Sequence, residues 1–419
     1  MSKKTTHHKL LRSLTLSDAI GIGLGAIIGA GIFVVTGVAS GVSGPAFLIG
    51  LIAAGIIASF NALSSAQLAA SHPYSGGTYE YGYILLNPFL GFSAGWMFLI
   101  SKLSAAGVVA LGFGSYFYQL IPVGSPIVFS LGAVVLLTVA NYFGIRKAGT
   151  LNLIIVGLTL TSLAYLIFSG VSEVKAENFK PFAPFGLTGV FESAAILFFA
   201  FTGYGRIATL AEEVSEPKKT IPKAIIVTIV TAIILYLIVS IVAIGTIGTT
   251  SMAQSKSPLQ EVAHALHTPG ISVVITIGAS SAMLGVLLSQ ILGISRVMLA
   301  MGRRNDLPSF FQLIHPRFRV PYIGILCTGF LIFLLTLFGT FEFIVRAATF
   351  TILLYYSITN LAAIKQPKEE VMYSKVIPFL GLIGCLVMSL SLPFNVIISG
   401  VGLLIVGFVL RFLIQRFKL

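Results

Sequence analysis

The sequence predicts an all-α integral membrane protein of about twelve transmembrane helices, and three observations carry that expectation. First, the chain of 419 residues is 56% hydrophobic and only 9% charged, against roughly a quarter charged in soluble domains. Second, uncharged stretches cover 19–79, 103–145, 224–255 and 376–410, each longer than the ~20 apolar residues that cross a bilayer core. Third, the basic residues are asymmetric between alternate connections. With the N-terminus cytoplasmic, 19 Lys and Arg lie on that side and only Lys175, Lys180 and Lys256 on the other. Both termini are therefore expected in the cytoplasm, with the lipid bilayer of the plasma (inner) membrane around the helices. The net charge of +13 reflects this topology, and no nucleic acid partner is needed to explain it.

Charges, glycines and prolines divide the chain into spans at about 18–40, 46–70, 89–118, 127–145, 150–171 and 190–211. The second half gives 224–246, 271–301, 322–339, 342–364, 376–393 and 396–413. Gly41, Ser43, Gly44 and Pro45 break the first pair, Pro122, Gly124 and Pro126 the third and fourth spans, and Pro393 and Asn395 the last pair. Residues 1–17 form a basic segment ahead of a long apolar span that lacks a small-residue cleavage site, so the first helix is expected to be retained. No long hydrophilic domain interrupts the series.

Membrane-embedded enzymes need convergent ionisable groups, and this chain offers none. All six histidines fall in or beside loops, and no HExxH, paired aspartate or Ser/His arrangement sits at membrane depth. His264 and His267 share one face of an expected solvated loop helix, and two ligands do not close a zinc shell. Cys327 and Cys385 lie singly in apolar segments, which suits neither a disulfide framework nor a thiolate site. A non-enzyme without cofactor or metal is expected.

The informative feature is interrupted helices. The run GIGLGAIIGAGIF places Gly21, Gly23, Gly25, Gly29 and Gly31 in the first span, where glycine weakens a helix unless close approach or unwinding is wanted. A second cluster, FFAFTGYGRIA, puts Gly203 and Gly205 in the sixth span, with Gly203 174 residues after Gly29, a half-chain spacing. Such breaks in corresponding positions of two halves point to a transporter site at the bilayer midplane. A half-helix that starts near Ala30 aims free N–H groups at a carboxylate, and the carbonyls left near Ile27 suit an ammonium. A zwitterion matches such a site without any charged side chain.

Four runs then resemble amino acid permeases of the amino acid-polyamine-organocation (APC) superfamily. They are GAGIF at 29–33, PYSGGTYEYGYILLNPFLGFSAGW at 73–96, FFAFTGYGRIATLAEEVSEPKKTIPKAI at 198–225 and HPRFRVP at 315–321. The resemblance implies a LeuT-type fold of two inverted five-helix repeats, about 18–171 and 190–364, with two additional C-terminal helices at 376–413. It implies a secondary active transporter that works by alternating access on an amino acid. Of the site residues, Ala30 and Gly31 would hold the substrate carboxylate through backbone N–H groups, with Gly29 beside them in the substrate site. The carbonyls of Ile27, Phe199 and Thr202 would hold its ammonium, with Gly203 leaving backbone room, and Phe201 and Tyr204 would shape or occlude the pocket.

The sequence also departs from the family. Thr159 stands where many members carry a lysine on the fifth helix, which leaves coupling to a proton or to sodium open, with Ser280, Ser281 and Ser289 straddling the place for sodium ligands. Gln67 replaces an acid on the second helix. Lys102, midway along the third helix, is a functional candidate as an ionisable group at depth. Glu342 and Arg346, spaced i, i+4, are expected to pair. Arg12 before the first helix and Glu212 after the sixth are candidates for an inner gate. A cationic substrate would want a carboxylate in the pocket, yet Asp18, Glu192 and Glu342 are expected near span ends, so neutral amino acids are favoured over cationic ones or polyamines. A channel or a transporter-like nutrient sensor would share this topology. A major facilitator is disfavoured, because the loop between the second and third spans carries Glu80 as its only charge.

Overall fold

The computed structural model describes residues 15–72, 76–144, 148–208, 214 and 216–417. Among them every regular element is helical. Helix α1 (Leu16–Ile27) starts where a capping box closes its end: the Thr15 hydroxyl accepts from the Asp18 amide and the Asp18 carboxylate accepts from the Thr15 amide. A break at residues 28–30 leads into a π-turn, Gly31–Val35, and then α2 (Thr36–Ser43). After the turn at Gly44–Ala46 come α3 (Phe47–Ser71), α4 (Thr78–Leu85), α5 (Pro88–Leu120), α6 (Pro126–Phe143) and α7 (Ala148–Gly170).

The second half opens with α8 (Gly186–Phe201), a 3₁₀ turn at Thr202–Tyr204 and α9 (Gly205–Ala208). It continues through α10 (Pro217–Gln254), α11 (Pro258–Ala265), α12 (Ile271–Arg303), α13 (Tyr322–Phe338) and α14 (Phe341–Lys365) to α15 (Val376–Leu390) and α16 (Phe394–Phe417). Among the described residues, nine helical stretches are long and apolar enough to cross a bilayer, the first joining α1 to α3, and α13 and α15 are shorter apolar helices. The chain is a multi-pass helical membrane protein.

Layering follows side-chain size and polarity. α5 packs against α12 and α14 at the centre, and its buried face is mostly small residues, among them Ser101, Ser104, Ala105, Ala106 and Ala110. Small residues let helix backbones approach where lipid gives no hydrophobic drive to association. α6, α13 and α16 form the outer layer, with Leu136, Phe330 and Ile405 among large apolar side chains turned outward, as a lipid phase requires.

Two local expectations change. α4 is a helix in what reads as a loop: Gly77, at φ 57, reverses the chain and Asn87 caps the following α5 by accepting from the Leu90 amide at 2.9 Å. His264 and His267 do not share a helix face. α11 ends at Ala265, and His267 has φ 51 beyond it, because Pro269 and Gly270 already begin the turn into α12.

Candidate functional site

A helix broken inside a membrane must find partners for the backbone groups it frees. The described structure accounts for them with hydroxyls. The buried Tyr236 of α10 donates to the Ile27 carbonyl at 2.9 Å. The buried Tyr116 of α5 donates to the Phe33 carbonyl in the π-turn at 2.6 Å, and its oxygen accepts from the Leu259 amide at 3.2 Å, which fastens α11 to the second half-helix. At the other break the Thr202 hydroxyl and amide both donate to the Phe199 carbonyl. The first bond of the second half-helix runs from the Ile32 amide to the Gly29 carbonyl at 3.2 Å. Helix geometry therefore leaves the amides of Ala30 and Gly31 ahead of the hydrogen-bonded ladder.

The two broken segments cross backbone to backbone. A Cβ on Gly31 would lie 2.7 Å from the Ala200 Cα, and a Cβ on Gly203 would lie 2.6 Å from the Ile27 nitrogen and overlap the Ala26 carbonyl. Only hydrogen fits at either position. Between the segments is a cavity of about 30 Å³, room on the order of one or two water molecules. Ile27, Ala30, Gly31, Phe199, Thr202 and Gly203 from the breaks line it, joined by Ala26 and Ala200. Val109 of α5 and Val286 and Gln290 of α12 complete the wall. Gly29 lies beside it, with the place of its missing Cβ 3.0 Å from the Val286 side chain.

Phe201 and Tyr204 are fully buried and are not among the described residues that line the cavity, Phe201 tilted on Tyr236 at 5.6 Å between centroids and Tyr204 on Tyr356 at 5.3 Å. Lys102 is partly buried on α5, its Nζ 5.8 Å from the Phe98 ring centroid. Thr159 is buried, and its hydroxyl donates to the Ile155 carbonyl at 2.7 Å and lies 3.4 Å from that of Gly278 in α12. Gln67 accepts from the amides of Met372 and Tyr373 at 3.1 Å each, a task that needs an oxygen but no charge. Arg12 and Glu212 lie outside the described residues.

The expected Glu342–Arg346 pair is not formed. Arg346 reaches Glu192 of α8 at 3.1 Å, because both of those side chains are largely buried where α8 meets α14, whereas Glu342 is exposed. A guanidinium withdrawn from water takes the carboxylate that is withdrawn with it. Sequence reasoning also missed Tyr116, Tyr236, Val109, Val286 and Gln290. A lone tyrosine in an apolar span is a signal, since its hydroxyl needs a partner there. The two valines carry none.

Away from the cavity, α4 anchors a polar cluster. The buried Asp306 after α12 accepts from Tyr79 at 2.7 Å and Tyr83 at 2.6 Å and pairs with Arg411 of α16 at 2.9 Å. Burial, together with this carboxylate, pushes both phenols above their ordinary range and keeps them neutral donors. Glu80 pairs with Arg304 at an opening of about 470 Å³, and His72, on the same opening, lies 3.7 Å from Glu370.

A multi-pass helical protein with two helices broken around a shared small cavity belongs to the transporter class, and sequence comparison assigns the family. Residues 18–416 match the amino acid permease family, and the chain belongs to it. It is 38% identical over 403 residues to an uncharacterized transporter of Mycobacterium tuberculosis strain H37Rv, covering 95% of this chain and 90% of that protein. It is 31% identical to the branched-chain amino acid permease BcaP of Bacillus subtilis, with 97% and 94% covered. It is also 31% identical to the methylthioribose transporter of the same organism, with 99% and 96% covered. These relatives are transporters, and the chain is a transporter, not an enzyme.

Proposed function

We propose that the chain carries a neutral amino acid zwitterion across the plasma membrane by secondary active, alternating-access transport. In this reading twelve helices span the bilayer with both termini cytoplasmic. Two inverted five-helix repeats, about 18–171 and 190–364, meet at the broken helices, followed by two further helices at 376–413. The observation that carries the reading is the crossing of the two breaks around one cavity, with Ala30 and Gly31 among the residues that line it. Those amides and the positive end of the second half-helix hold the carboxylate. Space for one or two waters is too little for an amino acid, so the walls separate to admit substrate and close again, which is what alternating access asks of them.

The cavity favours neutral substrates because no carboxylate is among the described residues that line it. A cationic amino acid or a polyamine would bring a charge that nothing there neutralises. Thr159, with its hydroxyl given to main-chain carbonyls, supplies no fixed charge between α7 and α12.

The test is uptake by the full chain reconstituted in liposomes. The labelled panel holds neutral and cationic amino acids, a polyamine and methylthioribose, with and without internal amino acid and with imposed pH or sodium gradients. Saturable, stereoselective uptake of neutral amino acids is expected. Uptake confined to lysine, a polyamine or methylthioribose overturns the substrate assignment, and steady conductance without saturation indicates a channel.

A further inference from the structure

Burying an ammonium requires acceptors, and two of the three carbonyls at the breaks are already engaged. The Phe199 carbonyl receives two donors from Thr202, which fills both of its lone pairs. The Ile27 carbonyl receives Tyr236, which leaves it one. Of the described side chains lining the cavity, only Thr202 and Gln290 are polar, and the Thr202 hydroxyl gives its proton to Phe199 while its oxygen can still accept. The Gln290 Oε1 is buried and has no hydrogen-bond partner among the described residues. A buried carbonyl oxygen without a donor is costly, and in native proteins such groups commonly await something.

The position gives the oxygen a purpose. Gln290 sits on α12 one helical turn from Val286, which also lines the cavity, so both residues reach it from one continuous helix. Resting on the function proposed above, we propose that Gln290 Oε1 is an acceptor for the substrate's α-ammonium and thereby selects α-amino acids over analogues without an amine. It replaces an acceptor that the Phe199 carbonyl does not offer. An amide oxygen recognises the charged donor without adding net charge to the cavity, and the bound zwitterion stays neutral overall. α12 thereby senses the substrate directly, beside the two broken helices.

The experiment compares, in proteoliposomes, the best substrate of the uptake panel with its 2-hydroxy acid, which keeps the side chain and carboxylate but lacks the ammonium. In the wild type the amino acid is preferred strongly. Gln290→Met keeps the length and removes the acceptor. It is expected to raise KM for the amino acid about 10- to 100-fold, the effect of one hydrogen bond to a charged group, and to shrink the preference by a similar factor. Gln290→Glu keeps an acceptor and adds charge, and is expected to increase the preference over the wild type. A structural role alone would alter uptake of both compounds equally, so an unchanged preference in Gln290→Met overturns the inference. If that variant does not fold, Gln290→Glu decides, and an unchanged or reduced preference overturns it. A wild type that takes up no amino acid removes the underlying function. A transporting wild type with an indifferent Gln290 removes this inference alone.

Discussion

Replacing Gly203 with alanine adds one methyl group where two main chains cross in close contact. The new Cβ would sit 2.6 Å from the Ile27 nitrogen and closer still to the Ala26 carbonyl, where nonbonded carbon contacts normally begin near ~3.5 Å. Its neighbours are main-chain atoms, so no rotamer change relieves the overlap and the broken segments must part by about 1 Å. Overpacking of a tight interior costs about 1–3 kcal/mol, and contact with backbone places this site at the upper end. If the strain falls mainly on the closed, substrate-bound arrangement, uptake at low substrate concentration drops ten- to a hundredfold at about 1.4 kcal/mol per decade. The assay is initial-rate uptake in proteoliposomes, normalised to protein recovered as a monodisperse peak. Gly402→Ala in α16 is the control, since no heavy atom lies within 4 Å of its added Cβ and alanine favours a helix. It is expected to behave as wild type. Wild-type kinetics from Gly203→Ala would refute the claim that the breaks close on each other during transport.

Tyr236→Phe removes the donor to the Ile27 carbonyl and leaves a buried acceptor, costing about 1–3 kcal/mol, read as lower thermal stability together with a raised KM. Arg346→Met leaves Glu192 partly buried and unpaired, a loss of about 1–3 kcal/mol after allowing for its partial exposure, and the double variant with Glu192→Gln should recover most of it; Glu342→Gln should change neither stability nor uptake. Asp306→Asn unpairs Arg411 and is expected to cost about 3 kcal/mol, whereas Tyr83→Phe should cost about 1 kcal/mol, both by denaturation in detergent. Lys102→Met is expected to lower uptake in reconstituted protein without loss of folded yield, and unchanged uptake would remove Lys102 from the transport machinery.

The sequence made the helices and both breaks legible because their causes are local. Hydropathy marks a span, and Gly29, Gly31, Gly203 and Gly205 mark where a helix is permitted to open. The pairing of Gly31 with Ala200 and of Gly203 with Ala26 lies beyond local reading, since it depends on how two distant segments cross. Gln290 was invisible for the same reason. A glutamine in an apolar span is conspicuous, but only packing shows that the residue lines a cavity and that its oxygen has no hydrogen-bond partner among the described residues. The Arg346 case shows the converse. The i, i+4 spacing to Glu342 is a correct local rule that lost to Glu192, because burial at an interface between helices outweighs an exposed contact along one helix.

The proposed site grips both charged ends of a zwitterion with backbone and amide groups. Its most direct test is inhibition of uptake of the best neutral substrate by two relatives of that substrate, one lacking only the carboxylate and one lacking only the ammonium. The account predicts that unlabelled substrate competes and that neither relative does so within a tenfold range of its potency, since each forfeits a charge-assisted contact worth about tenfold or more in affinity. Equal competition by the decarboxylated amine or by the amine-free acid would contradict it.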